Sequence, residues 1–311
     1  MKKRPVLTII LPVYNEGKTV KSFFLRLKSI VDEIGVETGY CVVDDGSTDQ
    51  TWEVIKGLSM ELGPDFRAQR FSRNFGKEAA IIAGLNAVES DFYLVMDADG
   101  QHPPELIPRF FEMCQTQHFD VINGLKAQKD IKFSSRVFGY LFNKLTGFDL
   151  LGASDFKLIS HQARNALLTC GDQGFFFRGL TEWVGFRKAN IVFSVPERVG
   201  GASKWGKKRL FSYALNAFLL NTYRPLYFLL AFGLFCMVVS GLIIGKVLIS
   251  YFFHNVPPGY PTLVMLPFMS FGTIIFSIGI IGLYVAKVLE QNKGRPRYIV
   301  MEELAAKKDL P

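Results

Sequence analysis

Along the first two-thirds of the chain, short apolar runs alternate with stretches of helical periodicity. Residues 6–11 read as a strand and 16–31 as an amphipathic helix. Residues 40–43 read as a second strand, and Asp49 stands where it can cap the helix that follows. The pattern continues with a strand at 67–71, a helix at 77–88, a strand at 92–96, a helix at 104–115 and a strand at 119–123. Nearly unbroken apolar runs suit strands covered on both faces, and strand–helix alternation predicts βαβ units with a mostly parallel sheet. Right-handed crossovers bring the carboxyl ends of such strands to one rim. Asp45, Asp97 and Asp99 all fall on those ends.

After about residue 205 the pattern changes. Residues 226–245 are apolar and uncharged, Lys246 follows, and 247–253 continue apolar; 262–286 carry no charge. Each run is long enough to cross a hydrocarbon core of about 30 Å. The linker 254–261 holds Pro257, Pro258 and Gly259 and no Lys or Arg, whereas both outer flanks are basic (Lys204, Lys207, Lys208, Arg209 and Arg224 before; Lys287, Lys293, Arg295 and Arg297 after). The positive-inside rule therefore predicts a two-helix transmembrane hairpin with both termini cytoplasmic. The expected organisation is an α/β domain over 1–205, a juxtamembrane amphipathic helix over 206–225, two spans within 226–289 (226–253 and 262–286), and a cytoplasmic tail over 290–311. Residues 132–146 carry apolar positions at helical spacing with Lys132, Arg136 and Lys144, so they suit an interfacial amphipathic helix or an ordinary helix packed on the sheet.

Composition sharpens the choice of partners. The 311 residues carry a net charge of +8 and are 49% hydrophobic. An anionic partner is implied: nucleic acid, a phosphorylated substrate or a membrane surface. The cations flank apolar runs rather than forming a separate basic domain, which argues against nucleic acid. The four cysteines, Cys41, Cys114, Cys170 and Cys236, form no CxxC pair, so neither a zinc site nor a disulfide framework is indicated. No signal peptide is expected, because the apolar stretch after the basic residues 1–4 is short and runs into Pro12.

Four clusters carry candidate chemistry: 12–16 after the first strand, 44–49 after the second, 97–103 after the fourth, and 201–205 preceded by Arg198. Asp97 and Asp99 repel one another unless a cation lies near. A divalent ion bridging a diphosphate fits, since hard oxygen ligands suit Mg²⁺ or Mn²⁺.

These clusters carry a resemblance. Leu11-Pro12-Val13-Tyr14-Asn15-Glu16, Val43-Asp44-Asp45-Gly46-Ser47-Thr48-Asp49, Phe71-Ser72-Arg73-Asn74-Phe75-Gly76-Lys77-Glu78 and Asp97-Ala98-Asp99-Gly100-Gln101-His102-Pro103 are joined by Ser154-Asp155-Phe156-Lys157-Leu158, Phe177-Arg178-Gly179-Leu180, Trp183-Val184-Gly185-Phe186 and Gly201-Ala202-Ser203-Lys204-Trp205. Val256-Pro257-Pro258-Gly259-Tyr260 and Gly294-Arg295-Pro296-Arg297-Tyr298 extend the match to two-span members. Together they resemble family 2 glycosyltransferases of the GT-A fold, and among them the membrane polyprenyl-phosphate glycosyltransferases. Gly100 departs from the usual Leu, and its side chain is not a ligand.

The resemblance implies a cytoplasmic, α/β GT-A domain on a multi-pass protein of the inner (plasma) membrane. It implies transfer, with inversion, of a sugar from a nucleotide sugar to polyprenyl phosphate, with UDP-glucose the first expectation and UDP-N-acetylglucosamine the next. Pro12, Tyr14, Glu16, Val43, Asp45, Asp97 and Ala98 would hold the nucleotide. Asp99 and Gln101 would ligate Mg²⁺ or Mn²⁺. Lys126, Arg136, Arg198, Ser203 and Lys204 would bind donor diphosphate or lipid phosphate, and Asp155 stands at the catalytic-base position. The acceptor phosphate is already largely dianionic at neutral pH, so Asp155 either removes a proton or positions the acceptor or a cation. Nucleotide sugar, polyprenyl phosphate and membrane lipid are the expected partners, nucleic acid is not, and a homo-oligomer is left open. The rival readings are a processive polysaccharide synthase, which lacks its Gln-x-x-Arg-Trp motif here, and a non-catalytic lipid-binding scaffold, against which the intact Asp97, Asp99, Asp155 and Lys204 stand.

Overall fold

The computed structural model describes residues 5–62, 65–127, 152–170, 176–195 and 294–304, together with residue 143 and scattered positions between 232 and 288. Among the described residues, eight strands form one sheet in the order β7-β5-β6-β4-β1-β2-β3-β8. The strands are β1 (Leu7–Val13), β2 (Thr38–Asp44), β3 (Phe66–Phe71), β4 (Phe92–Val95), β5 (Val121–Lys126), β6 (Ala153–Ser160), β7 (Lys188–Phe193) and β8 (Val300–Leu304). The helices are α1 (Val20–Asp32), α2 (Thr51–Leu62), α3 (Lys77–Ala87), α4 (Ile107–Gln117), α5 (His161–Thr169) and α6 (Phe177–Trp183), with a 3₁₀ turn at Pro104–Leu106.

The layers follow from the side-chain period of two. Every residue of β1 is buried. Leu7, Ile9 and Leu11 pack with Phe24, Leu27, Trp52 and Phe110 on one face, while Ile10 packs with α3 on the other. Both faces are thus covered, as a mainly parallel sheet requires. Helix α3 lies very close to the sheet: a Cβ on Gly84 would come within 2.4 Å of Ile10 Cγ2. Its Ala-rich sequence reads as apolar all round because it is buried nearly all round.

Strands β1 to β4 are parallel, β6 runs antiparallel to both β4 and β5, and β8 runs antiparallel to β3. The chain passes from β1 outward through β2 and β3, then returns to place β4 on the other side of β1. The carboxyl ends of β1 and β4 therefore flank a topological switch point, where open α/β sheets bind ligands.

Most of the expected strands and helices form. Helix α1 starts at Val20 rather than residue 16, because residues 15–17 are bonded to the loop after β2 instead. Strand β8 comes from the segment read as a tail. Its Glu302 accepts from Trp52 Nε1 at 2.9 Å and from Arg70 Nη1 at 3.1 Å.

Residues 211–294 form a second compact unit. Among the described residues, no helix is long and apolar enough to cross a membrane. The expected spans 226–253 and 262–286 lie largely outside the described residues, as do the amphipathic segments at 132–146 (residue 143 excepted) and 206–225. Residues 277–285 are continuously helical, with Ile281 (52%) and Leu283 (49%) both exposed. Two residues apart on a helix, they point to nearly opposite sides.

Candidate active site

The rim divides into two parts. The first is built from the turns after β1 and β2. Pro12 and Val43 are register partners, both buried. Beyond them the chain turns at Asn15, whose φ is 55°, a conformation Asn tolerates better than most residues. Asn15 N–H donates to Ser47 Oγ at 2.8 Å, and Asn15 Oδ1 accepts from Thr48 N–H at 2.9 Å. Glu16 N–H donates to Thr51 Oγ1 at 2.9 Å, and Gly17 N–H donates to Asp49 Oδ2 at 3.2 Å. Asp49 Oδ1 also accepts Thr51 N–H at 3.0 Å, so it caps α2 as expected.

Asp45 is buried, and its carboxylate accepts from Phe75 N–H at 2.7 Å and Gly76 N–H at 3.0 Å. It thus braces the loop that opens α3. Gly46 has φ +68°, and a Cβ there would fall 2.4 Å from the Arg73 carbonyl carbon, so only glycine fits this turn. Tyr14 and Glu16 are half-buried at the mouth of the cradle. Burial pushes the Asp44 carboxyl up from its ordinary range, against the opposing bonds from Ser47 and the charge of Arg70.

The second part gathers charge at the ends of β4 and β6. Asp97, buried Ala98 and Asp99 follow β4. Asp97 N–H donates to His102 Nδ1 at 2.9 Å. A neutral imidazole accepting at Nδ1 carries its proton on Nε2. The buried His102 ring stacks on Phe156 at 5.1 Å, and burial pulls its pKa down to about 4 despite nearby Asp97. Asp99 Oδ1 accepts from Gln101 N–H at 3.0 Å, tightening the loop that carries both residues.

Val95 pairs with Lys157 across β4–β6. Two positions before Lys157 on that antiparallel strand, Asp155 reaches the same rim as Asp97. Lys77, the first residue of α3, ties the two acids together: its Nζ lies 2.6 Å from Asp97 Oδ1 and is also bonded to Asp155 Oδ2. Arg178 on α6 donates from Nε to Asp155 Oδ1 at 2.6 Å and from Nη2 to Oδ2 at 2.8 Å. Burial resists charge on Asp155, but Arg178 and then Lys77 outweigh it and hold the carboxyl well below its ordinary range. Burial likewise opposes charge on Lys77, and Asp155 and Asp97 more than offset it, so its pKa is raised. Lys126, at the end of β5, is pulled down by burial and then by Arg178, with Asp97 and Asp99 acting the other way.

Helix α6 is fastened by polar struts. Phe177 N–H donates to Glu78 Oε2 at 3.0 Å. Lys157, buried within the domain, donates to Asn123 Oδ1 and Thr181 Oγ1, each at 2.7 Å. Thr181 Oγ1 donates to the Arg178 carbonyl at 3.0 Å, and Asn123 Nδ2 donates to Glu182 Oε1 at 3.2 Å. Burial lowers the Lys157 pKa to about 8 in spite of Glu182.

The structure thus brings Pro12, Tyr14, Glu16, Val43 and Asp45 to one part of the rim. Asp97, Ala98, Asp99, Gln101, Lys126 and Asp155 fall on the other. Arg136, Arg198, Ser203 and Lys204 lie outside the described residues. Lys77, Arg178, His102 and Lys157 received no role from sequence reasoning, although each falls within a stretch that carried the resemblance. What was missing was the placement of α3 and α6 over the end of β6.

A rim of this kind on this sheet is that of a GT-A nucleotide-sugar transferase fold. The chain belongs to glycosyl transferase family 2, whose model matches residues 8–180. It is 34% identical to the putative glycosyltransferase CsbB of Bacillus subtilis over 99% of this chain and 95% of that one. It is 27% identical to a bactoprenol glucosyl transferase of Shigella phage SfX, covering 94% of this chain and 98% of that one. To an undecaprenyl-phosphate 4-deoxy-4-formamido-L-arabinose transferase of Edwardsiella ictaluri it is also 27% identical, over 96% and 94% of the two chains. In fold it is similar to glucosyl-3-phosphoglycerate synthase from Mycobacterium tuberculosis in complex with Mn²⁺, UDP and phosphoglyceric acid. That likeness has a TM-score of 0.51 and 18% identity, covering 70% of this chain and 77% of the other.

Proposed function

We propose that this protein transfers a sugar, with inversion, from a nucleotide sugar to polyprenyl phosphate at the cytoplasmic face of the plasma membrane. The observation that carries this reading is the divided rim: a tightly laced cradle on β1–β2, its carboxylates bonded to backbone N–H groups, stands beside a cluster of ion pairs on β4–β6 across the switch point. The cradle suits a nucleoside, with Tyr14 and Glu16 at its mouth, and the cluster suits phosphates. The relatives whose names specify bactoprenol or undecaprenyl phosphate support the acceptor, as does the basic, apolar C-terminal third. The exposed apolar side chains on opposite sides of helix 277–285 fit a lipid surround. UDP-glucose is the first candidate donor and UDP-N-acetylglucosamine the second.

The residues fit a divalent ion. Asp99 and Gln101 offer hard oxygen donors on one tightened loop. Among the described residues, no group of three or more His, Cys, Asp or Glu forms a closed cage, and Mg²⁺ or Mn²⁺ in such enzymes draws its remaining ligands from substrate phosphates and water. When bound, the ion neutralises charge building on the departing diphosphate. The chain's own residues do the rest. The β1–β2 cradle fixes the nucleoside, Lys77 and Lys126 add positive charge beside Asp97, and an acceptor phosphate oxygen attacks the anomeric carbon as the bond to the diphosphate breaks. That oxygen is already deprotonated once the phosphomonoester passes its second pKa of about 6.

The test is to incubate purified full-length protein with undecaprenyl phosphate and a panel of radiolabelled nucleotide sugars, with and without Mg²⁺ or Mn²⁺. Metal-dependent formation of a lipid-linked sugar is expected; no product with any donor overturns the reading. The two-span topology has its own test in cysteine labelling at Asn255 in intact cells, after the native cysteines are removed. Labelling that needs permeabilisation would contradict a hairpin with cytoplasmic termini.

A further inference from the structure

The geometry points to Arg178 as the residue that receives the acceptor's phosphate, with Asp155 serving as the buried brace that aims it. This rests on the proposed acceptor being a prenyl phosphomonoester. Three observations converge. First, Asp155 is 3% exposed and three cationic N–H bonds already fall on its two oxygens, from Arg178 Nε, Arg178 Nη2 and Lys77 Nζ. An ionised carboxylate offers about four lone-pair positions, so most of its accepting capacity is spent inside the protein. Second, the Arg178 side chain is 34% exposed. It bonds the buried carboxylate and keeps a third of its side chain exposed, as a guanidinium that bridges a protein acid and an arriving anion should. Third, its carrier helix is held by side chains of three other elements, Glu78 from α3, Lys157 from β6 and Asn123 from β5. A two-turn helix placed only for packing would not need a buried lysine to dock it.

The charge balance agrees. Lys77, Lys126 and Arg178 offset Asp97, Asp99 and Asp155 here, so a divalent ion on Asp99 would leave an excess of positive charge. A phosphomonoester dianion fits that excess, and a planar guanidinium is the group best matched to two phosphate oxygens. No proton transfer is required of the protein: the phosphate oxygen forms the new bond to the anomeric carbon, and the nucleoside diphosphate leaves with the electron pair.

The experiment uses full-length protein in detergent, a short-chain prenyl phosphate as acceptor, and Arg178→Gln, Arg178→Lys and the double variant Arg178→Gln/Asp155→Asn. The double variant removes the buried acid that would otherwise lose its main partner, and so controls for misfolding. Arg178→Gln and the double variant should both raise the acceptor KM at least tenfold while leaving the donor KM within twofold. Arg178→Lys should recover part of the loss. An unchanged acceptor KM, or a donor KM that rises equally, overturns the assignment while the reaction itself stands. Calorimetric binding of the same prenyl phosphate separates the other failure. If wild type binds it through Arg178 without transferring sugar to it, the proposed reaction fails and the phosphate site survives. If wild type neither binds nor uses it, both fall.

Discussion

The two parts of the rim are built by opposite means. On the β1–β2 side, Asn15, Ser47, Thr48, Asp49 and Thr51 lace two turns together through backbone N–H groups and short side chains. On the β4–β6 side, Lys77, Asp97, Asp155 and Arg178 meet as bare charges with salt links between them. A cradle laced by hydrogen bonds is rigid and selects by shape. A charge cluster in a low-dielectric setting stabilises charge that moves during a reaction, and does so at no reorganisation cost. On the proposed reading the contrast separates recognition from chemistry: damage to the first part should weaken nucleotide binding, and damage to the second should slow transfer.

The largest break is expected at Asp99. Asp99→Ala should cut transfer on the order of 10³-fold, with little change in thermal midpoint because the residue sits half-buried on the rim. Excess chelator should silence wild type in the same way; full activity in chelator would remove the metal from the scheme.

Asp155→Asn should lower the rate by about 10²-fold, and the pH profile shows why. If Asp155 orients Arg178, kcat/KM in both wild type and variant should rise with pH through about 6, as the acceptor takes its second charge. A limb present in wild type and lost in the variant would make Asp155 a proton acceptor after all. With its pKa held below the ordinary 3.8, Asp155 contributes stability that is present above that value and is lost as pH falls below it. The gap in thermal midpoint between wild type and Asp155→Asn should therefore close in strong acid.

A smaller effect sharpens the other side. Gly46→Ala puts a Cβ 2.4 Å from the Arg73 backbone at φ +68°, where an L side chain alone costs about 1–2 kcal/mol. UDP affinity, measured by calorimetry, should fall about tenfold, with kcat at saturating donor nearly kept. An equal loss of kcat would mean that the two parts are not separable.

The effect on transfer is smallest at Lys157, where stability is the readout. Its pKa of about 8 in the fold lies below the ordinary 10.5 of a lysine, so the unfolded chain binds more protons between those values. Stability from this group therefore rises with pH across that window, by about 3 kcal/mol. Lys157→Met should flatten the rise in thermal midpoint between pH 7 and 10. A parallel rise in the variant would mean that another group is responsible.

Much of the β1–β2 side was legible in the chain. Residues 6–11 and 40–43 are apolar runs that end in turn chemistry, Asp49 is a helix cap by position, and the burial of both faces follows from the absence of polar alternation. The parallel core and its acidic strand ends follow from local pattern, because alternation of short strands and helices admits few topologies. The four clusters on that pattern also sufficed for the family. On the β4–β6 side only β4, with Asp97 and Asp99 at its end, was legible in this way. Strand β6 reads Ala-Ser-Asp-Phe-Lys-Leu-Ile-Ser and buries both its Asp and its Lys, so its polar core positions defeat any binary pattern. Such breaks of a local rule are where function tends to lie. Strand β8 pairs with a strand more than two hundred residues away, and no local signal announces that partner. Lys77, Asp97, Asp155 and Arg178 come from four separate segments, and their charges can be read from the chain one by one. That they neutralise and aim each other depends on β6 running antiparallel between β4 and β5, and on α6 docking over its end. Only long-range pairing decides that, because the energy that holds the cluster exists only once the four segments are together.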